Sequence, residues 1–186
     1  INGTHQDLMN FIHDALVDLT LHEVGHTLGL RHNFKASSIY SLEQLRDKEF
    51  TEENGVTGSV MDYNPVNLSP KNQPQGSWFH TTLGTYDDWA IEYAYKPVDQ
   101  KSTITEAEML ENIASRVSDP LLQYGTDEDA RGTSVWGMDP SCNLYDIGSD
   151  PLEFVELRIQ LSQELWTDLL NNFEIEGKRY QKLRRV

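Results

Sequence analysis

The strongest constraint on this chain is a helical face whose chemistry changes part-way along. From Asp7 the apolar residues Leu8, Ile12, Ala15, Leu16 and Leu19 recur at intervals of three and four, then give way on the same period to His22, Glu23 and His26. The spacing predicts a helix of about six turns with its aliphatic row turned inward. It should end near Gly29, the residue type that accepts a left-handed C-terminal conformation.

His22 and His26 are four apart, so on a helix they stand roughly 40° from each other and about 6 Å apart along the axis. Both rings can reach one point. Glu23 projects about 100° further round, where it is better placed to meet something bound beside a metal than to ligate it. A continuing helix would carry His32 about 9 Å onward to another face. Gly29, midway between His26 and His32, lets the backbone turn back and offer His32 as a third nitrogen ligand. Three protein ligands leave the fourth tetrahedral position open to water, the pattern of catalytic rather than structural zinc. A glutamate beside such a water suits amide hydrolysis. Isolated helical histidines are more often surface or core residues, but the extended spacing HEVGHTLGLRH favours a metal.

Composition narrows the remaining choices. Cys142 is the single cysteine, which excludes an internal disulfide and a thiolate-rich zinc site. Lys and Arg total 15 against 30 Asp and Glu, a formal charge of -15 that repels nucleic acid and anionic headgroups. No run of about 18 apolar residues spans a bilayer, so no membrane insertion is expected. The opening INGTHQD lacks the pattern of a signal peptide. The basic stretch GKRYQKLRRV reads as a solvated helix end or a tail.

The rest of the chain reads as mainly α. A second helix is expected from Ser41 through SLEQLRDKEF, with Gln44 completing its cap and Asn54 and Gly55 ending it. Residues 56–84, interrupted by Pro65, Pro70 and Pro74, should be irregular. Further helices are expected over TYDDWAIEYAYKP, with Tyr86, Trp89 and Tyr93 in the core, and from Thr105, with Glu108 completing a capping box. Residues 124–151 read as loop. A long amphipathic helix capped by Asp150 follows, with a break near Gly177. His5, His13 and His80 receive no role. The loop acids Asp127, Glu128, Asp129, Asp139, Asp146 and Asp150 make calcium possible, yet their spacing matches no calcium loop and solvated turns and caps are favoured.

HEVGHTLGLRH resembles the zinc signature of the metzincin clan of endopeptidases, and GSVMDYNP, from Gly58, resembles the methionine-containing tight turn of that clan. By this resemblance Met61 forms an apolar floor under the imidazoles. Tyr63 matches the tyrosine that stabilises the oxyanion in astacin-like and serralysin-like members. LGTYDDWAIEYAYKP is similar, more narrowly, to a bacterial family of Met-zincins, large exported proteins, and less specifically so are YGTDEDA and DPSCNLYDIGSDP. The resemblance implies a secreted or periplasmic endopeptidase with one catalytic Zn2+ on His22, His26 and His32, Glu23 as general base, and a peptide or protein substrate. Metzincins generally place a twisted sheet ahead of the active-site helix, and here that sheet would lie outside the chain. Residues 1–186 are then expected to be one unit of a longer polypeptide, with 1–63 carrying the zinc helix, third ligand and Met-turn, and 64–186 a helical C-terminal part. The upstream part would complete the cleft. The contrasting readings are a catalytically inactive, zinc-stabilised helical module used for binding, and a metal hydrolase acting on something other than peptides.

Overall fold

The structure is a computed structural model and describes residues 4–98, 103–132 and 139–173. Helix α1, His5–Thr27, opens on a reciprocal cap between Thr4 and Asp7. It closes as the Gly29 spacing requires. Gly29 takes φ +87°, its N–H donates to His26 O at 3.0 Å, and the Leu30 N–H reaches back to Gly25 O at 3.1 Å. These paired bonds satisfy the last carbonyls and reverse the chain.

The inward face of α1 is not the aliphatic row expected from the sequence. Leu8, Met9, Ile12, Leu16 and Leu19 are 43–57% exposed, whereas the neighbouring row of Phe11, Ala15, Asp18, His22 and Gly25 turns toward the protein. Phe11 packs edge-on against Trp78 and Phe79, with centroids 5.1 and 4.8 Å away. A side chain at Gly25 would run into Met61 Sδ. That close approach explains which row faces in: a Cβ-free position at one end and an aromatic at the other admit the neighbouring chain.

The stretch from Ser41 forms two helices rather than one. Ser41 and Gln44 cap α2, Leu42–Arg46, reciprocally. Asp47 then leaves the helical region with ψ 118° and opens α3, Lys48–Asn54, by accepting from Phe50 N at 3.1 Å. An aspartate that can bond the backbone locally interrupts a helix in this way. Gly55 ends α3 as expected. The core comprises Tyr40, Leu42, Leu45, Val56, Ile147 and Leu157, flanked by Phe50, Phe154 and Leu161.

Residues 56–84 contain no helix or strand, and side chains fix them instead. Asn67 donates to Leu45 O and Ser77 O at 2.8 and 2.9 Å. The buried His80 accepts at Nδ1 from Val56 N and Thr57 N at 3.1 and 3.3 Å. The role withheld from His80 in the sequence is therefore structural.

Helix α4, Thr85–Tyr95, and α5, Glu106–Ala114, follow the expected pattern, α5 with the Thr105 and Glu108 cap. Trp89 Nε1 donates to Ile113 O at 2.8 Å and joins the pair. Tyr86 and Trp89 pack as expected, but Tyr93 is exposed. Two 3-10 turns, Ser115–Ser118 and Pro120–Leu122, follow. Among its described residues, the stretch expected as loop contains one short helix, α6, Asp127–Ala130. Helix α7, Pro151–Phe173, is capped by Asp150 through Leu152 N at 2.8 Å. The expected break near Gly177 and the basic tail lie outside the described residues. Among the described residues there is no strand, so the chain is mainly α, and no helix is long and apolar enough to cross a membrane.

Candidate metal centre

The reversal at Gly29 brings His32 back over the end of α1. The ring centroids of His22 and His26 are 4.7 Å apart, those of His26 and His32 4.8 Å, and those of His22 and His32 5.4 Å. Their ligand nitrogens lie within 4.8 Å of one another, the one such group of three among the described residues. Nitrogens about 2.1 Å from a single zinc ion stand at most about 4.2 Å apart. In tetrahedral coordination the separation is about 3.4 Å, so binding would draw the widest-spaced nitrogens together by up to about 1.4 Å.

Each ring is anchored through Nδ1 to an oxygen: His22 to Val60 O at 2.8 Å, His26 to Leu30 O at 3.0 Å, and His32 to Asp127 Oδ2 at 2.8 Å. An oxygen acceptor places the proton on Nδ1 of a neutral imidazole and leaves the Nε2 lone pair for a metal. His32 Nε2 is buried with no hydrogen-bond partner, a state that a ligand would relieve. Burial pushes the pKa of His22 down, the Val60 carbonyl opposes this, and His26 and His32 reinforce it. The neutral, ligating form is favoured.

Met61 is fully buried against Gly25, between the positions of His22 and His26 on α1. Its own turn is pinned at several points. Met61 N donates to Ser59 Oγ at 3.0 Å, and Asn33 N donates to Met61 O at 2.9 Å. Asp87, at the start of α4, accepts from Ser59 Oγ, Val60 N and Gly84 N at 2.6, 2.9 and 2.8 Å. Asp62, next in the chain, accepts from Ser37 N and Tyr63 N, both at 2.7 Å. Burial raises its carboxyl to about 8, and nearby Asp146 pushes the same way.

Tyr63 lies against two of the three imidazoles, with centroids 5.2 Å from His22 and 4.6 Å from His32. Tyr145 stacks on Tyr63 with centroids 5.9 Å apart, and Tyr145 N donates to Tyr63 O at 2.9 Å. Glu23 is exposed and shares a cavity of about 330 Å³ with His22, Tyr63, Asp18 and Tyr145. Burial raises the Asp18 carboxyl to about 6, against a hydrogen bond from the His80 backbone. A separate cavity of about 370 Å³ between α4 and α5 contains no histidine, and its Lys96 and Arg116 are paired with Glu92.

Sequence reasoning missed Gly25, Asp87 and Asp127 here. Gly25 carried a signal, because a glycine inside a helix weakens it by about 1 kcal/mol and needs a packing reason. Asp127 was grouped with the solvated loop acids, and only its contact with His32 reveals its place. Those acids do not gather around a calcium ion. Asp127 bonds His32, Glu128 pairs with Arg31, Asp139 pairs with Lys35, Asp129 caps Thr126 and Asp150 caps α7. Calcium is thus without support.

A helix, a reversed turn and a methionine loop bring three imidazoles together as a candidate metal site. A family model described as Met-zincin matches residues 4–186, and the chain belongs to that family. Nothing matches among the curated proteins or the solved structures. The family implies zinc, and the orphaned His32 Nε2 and three oriented nitrogen donors fit it.

Proposed function

We propose that this chain carries the catalytic centre of a zinc-dependent endopeptidase. The observation behind the reading is the convergence of Glu23 and Tyr63 with the ligand His22 on one open cavity. Zinc, when bound, supplies Lewis acidity that brings the pKa of water to about 7 and polarises a substrate carbonyl. His22, His26 and His32 would hold it through Nε2. Glu23 takes the proton from the attacking water and passes it to the departing amine. The Tyr63 hydroxyl serves as donor to the oxyanion that develops on the carbonyl. Met61 fills the space beneath the rings and keeps it dry.

The exposed apolar row of α1 supports a second part of the reading. A contiguous row of large apolar side chains beside an active centre is a surface that a neighbouring structure covers. We assign that cover, and the wall that aligns an extended peptide, to an upstream part of the same polypeptide. Its location is proposed to be outside the cytoplasm, on family grounds.

The test is Glu23→Gln in the full polypeptide. Proteolysis should fall by about 10²–10⁴-fold while one zinc per chain remains by metal analysis. A variant that cleaves peptides at the parental rate would sink the mechanism. A parent that holds zinc and cleaves nothing in a broad peptide library would leave a zinc-stabilised binding module in its place.

A further inference from the structure

The three ligand histidines are oriented by unlike partners. Val60 and Leu30 present backbone carbonyls to His22 and His26, but His32 faces a carboxylate, Asp127, 95 positions further along the chain. The geometry points to Asp127 as a positioning residue that fixes His32 for the metal and sets how tightly the metal is held. The inference rests on the reading of this site as a zinc site and is independent of whether the chain cleaves peptides.

Asp127 reaches His32 from a clamp that has its own anchors. The Arg31 guanidinium bonds both oxygens of Glu128 at 2.8 and 2.7 Å, and Lys35 Nζ bonds Asp139 at 2.7 Å. The buried Asn33 donates to Gln123 O at 3.0 Å and accepts from Gly125 N at 3.2 Å, while Phe34 N donates to Gly125 O at 2.7 Å. Residues 31 and 33–35 are thus fastened to Gln123, Gly125, Glu128 and Asp139 without help from Asp127. The bond from His32 is an additional and chemically different contact.

A carboxylate does two things at Nδ1 that a carbonyl does less strongly. It accepts a charge-assisted hydrogen bond, which fixes the ring plane and the tautomer. It also draws the Nδ1 proton, which makes Nε2 a better donor to a cation. With Oδ2 engaged on Nδ1, on the opposite side of the ring from Nε2, Asp127 is not itself a ligand to the same ion. The His32 side chain is 17% exposed, so little water is available to replace the lost acceptor.

The experiment measures zinc affinity of the full polypeptide by competition with a chromophoric chelator, for the parent, Asp127→Ala, Asp127→Asn and Glu128→Gln. Asp127→Ala should weaken zinc by about 10–100-fold. Asp127→Asn keeps an acceptor oxygen without the charge and should fall between the two. Glu128→Gln loosens the clamp but not the contact, and should stay within about twofold of the parent. Affinity of Asp127→Ala within twofold of the parent overturns the inference, and so does an equal loss in Glu128→Gln. If Asp127→Ala loses its helical circular dichroism, the near-isosteric Asp127→Asn decides, and parental affinity there overturns the inference. A parent with no measurable zinc affinity sinks the zinc reading itself, whereas a parent that binds zinc but is inert sinks only the peptidase.

Discussion

At Gly25 the usual arithmetic of helix propensity reverses. Glycine to alanine inside an exposed helix gains about 1 kcal/mol, yet here the new Cβ meets Met61 Sδ in a site with no free space. Overpacking of this kind costs about 1–3 kcal/mol. Gly25→Ala should therefore lower the midpoint of urea unfolding and weaken zinc binding, and Gly25→Ala combined with Met61→Ala should recover part of the loss. A stabilised single variant would show that Met61 does not rest where the structure places it. Gly25 and Gly29 thus do opposite work four residues apart: one removes a side chain so that a neighbour can enter, the other supplies a backbone angle of φ +87° so that the chain can return.

The element most exposed to acid is the irregular stretch 56–84, because its start is held by an uncharged histidine. Burial lowers His80 to about 4, and its Nδ1 accepts from two backbone N–H groups that a protonated ring would oppose. Its folded pKa lies below its unfolded value of 6.5, so the stability it contributes is present above 6.5 and is lost as pH falls toward 4. The gap corresponds to roughly 3 kcal/mol. Asp62 acts in the opposite sense. Raised to about 8 from 3.8, it contributes most below 3.8, and that contribution is lost as pH rises through 8. Nitrogen NMR of the His80 ring should show a neutral imidazole at pH 5.5. A ring that titrates near 6.5 would refute the buried placement.

Legibility in the sequence followed the range of the interaction that fixes each element. The caps at Ser41, Thr105 and Asp150 and the turn at Gly29 rest on neighbours a few residues away, and each is where the spacing puts it. The His22, His26 and His32 cluster was legible for the same reason, since one helix and one turn make it. His80 under Val56, Asp87 beneath the methionine turn and Asp127 behind His32 are pairings between distant segments. No period or local motif announces them. The choice between two rows on α1 was lost for a related reason: hydrophobic periodicity sees the aliphatic row, and packing selects the row with Phe11 and Gly25.

For the molecule as a whole, α1 is a boundary rather than a core helix. One side turns Phe11, His22 and Gly25 toward the protein, and the other leaves Leu8, Ile12, Leu16 and Leu19 in the open. Ile12→Lys with Leu16→Lys should change the stability of residues 1–186 by less than about 0.5 kcal/mol, as surface substitutions do. The same pair should reduce the stability or activity of the full polypeptide if upstream structure rests on that row. Equal behaviour in both contexts would remove the upstream cover from the proposal.

The tether between Asp87 and the methionine turn has a practical consequence. All three ligand histidines, Glu23 and Met61 lie in the first third of the chain, so a short segment ending near Tyr63 looks like a portable metal-binding cassette. It is not one. The carboxylate that buckles the turn belongs to α4, and the carboxylate behind His32 belongs to α6. A transplant or truncation that keeps every ligand would discard the braces that aim them, leaving a donor set without its geometry.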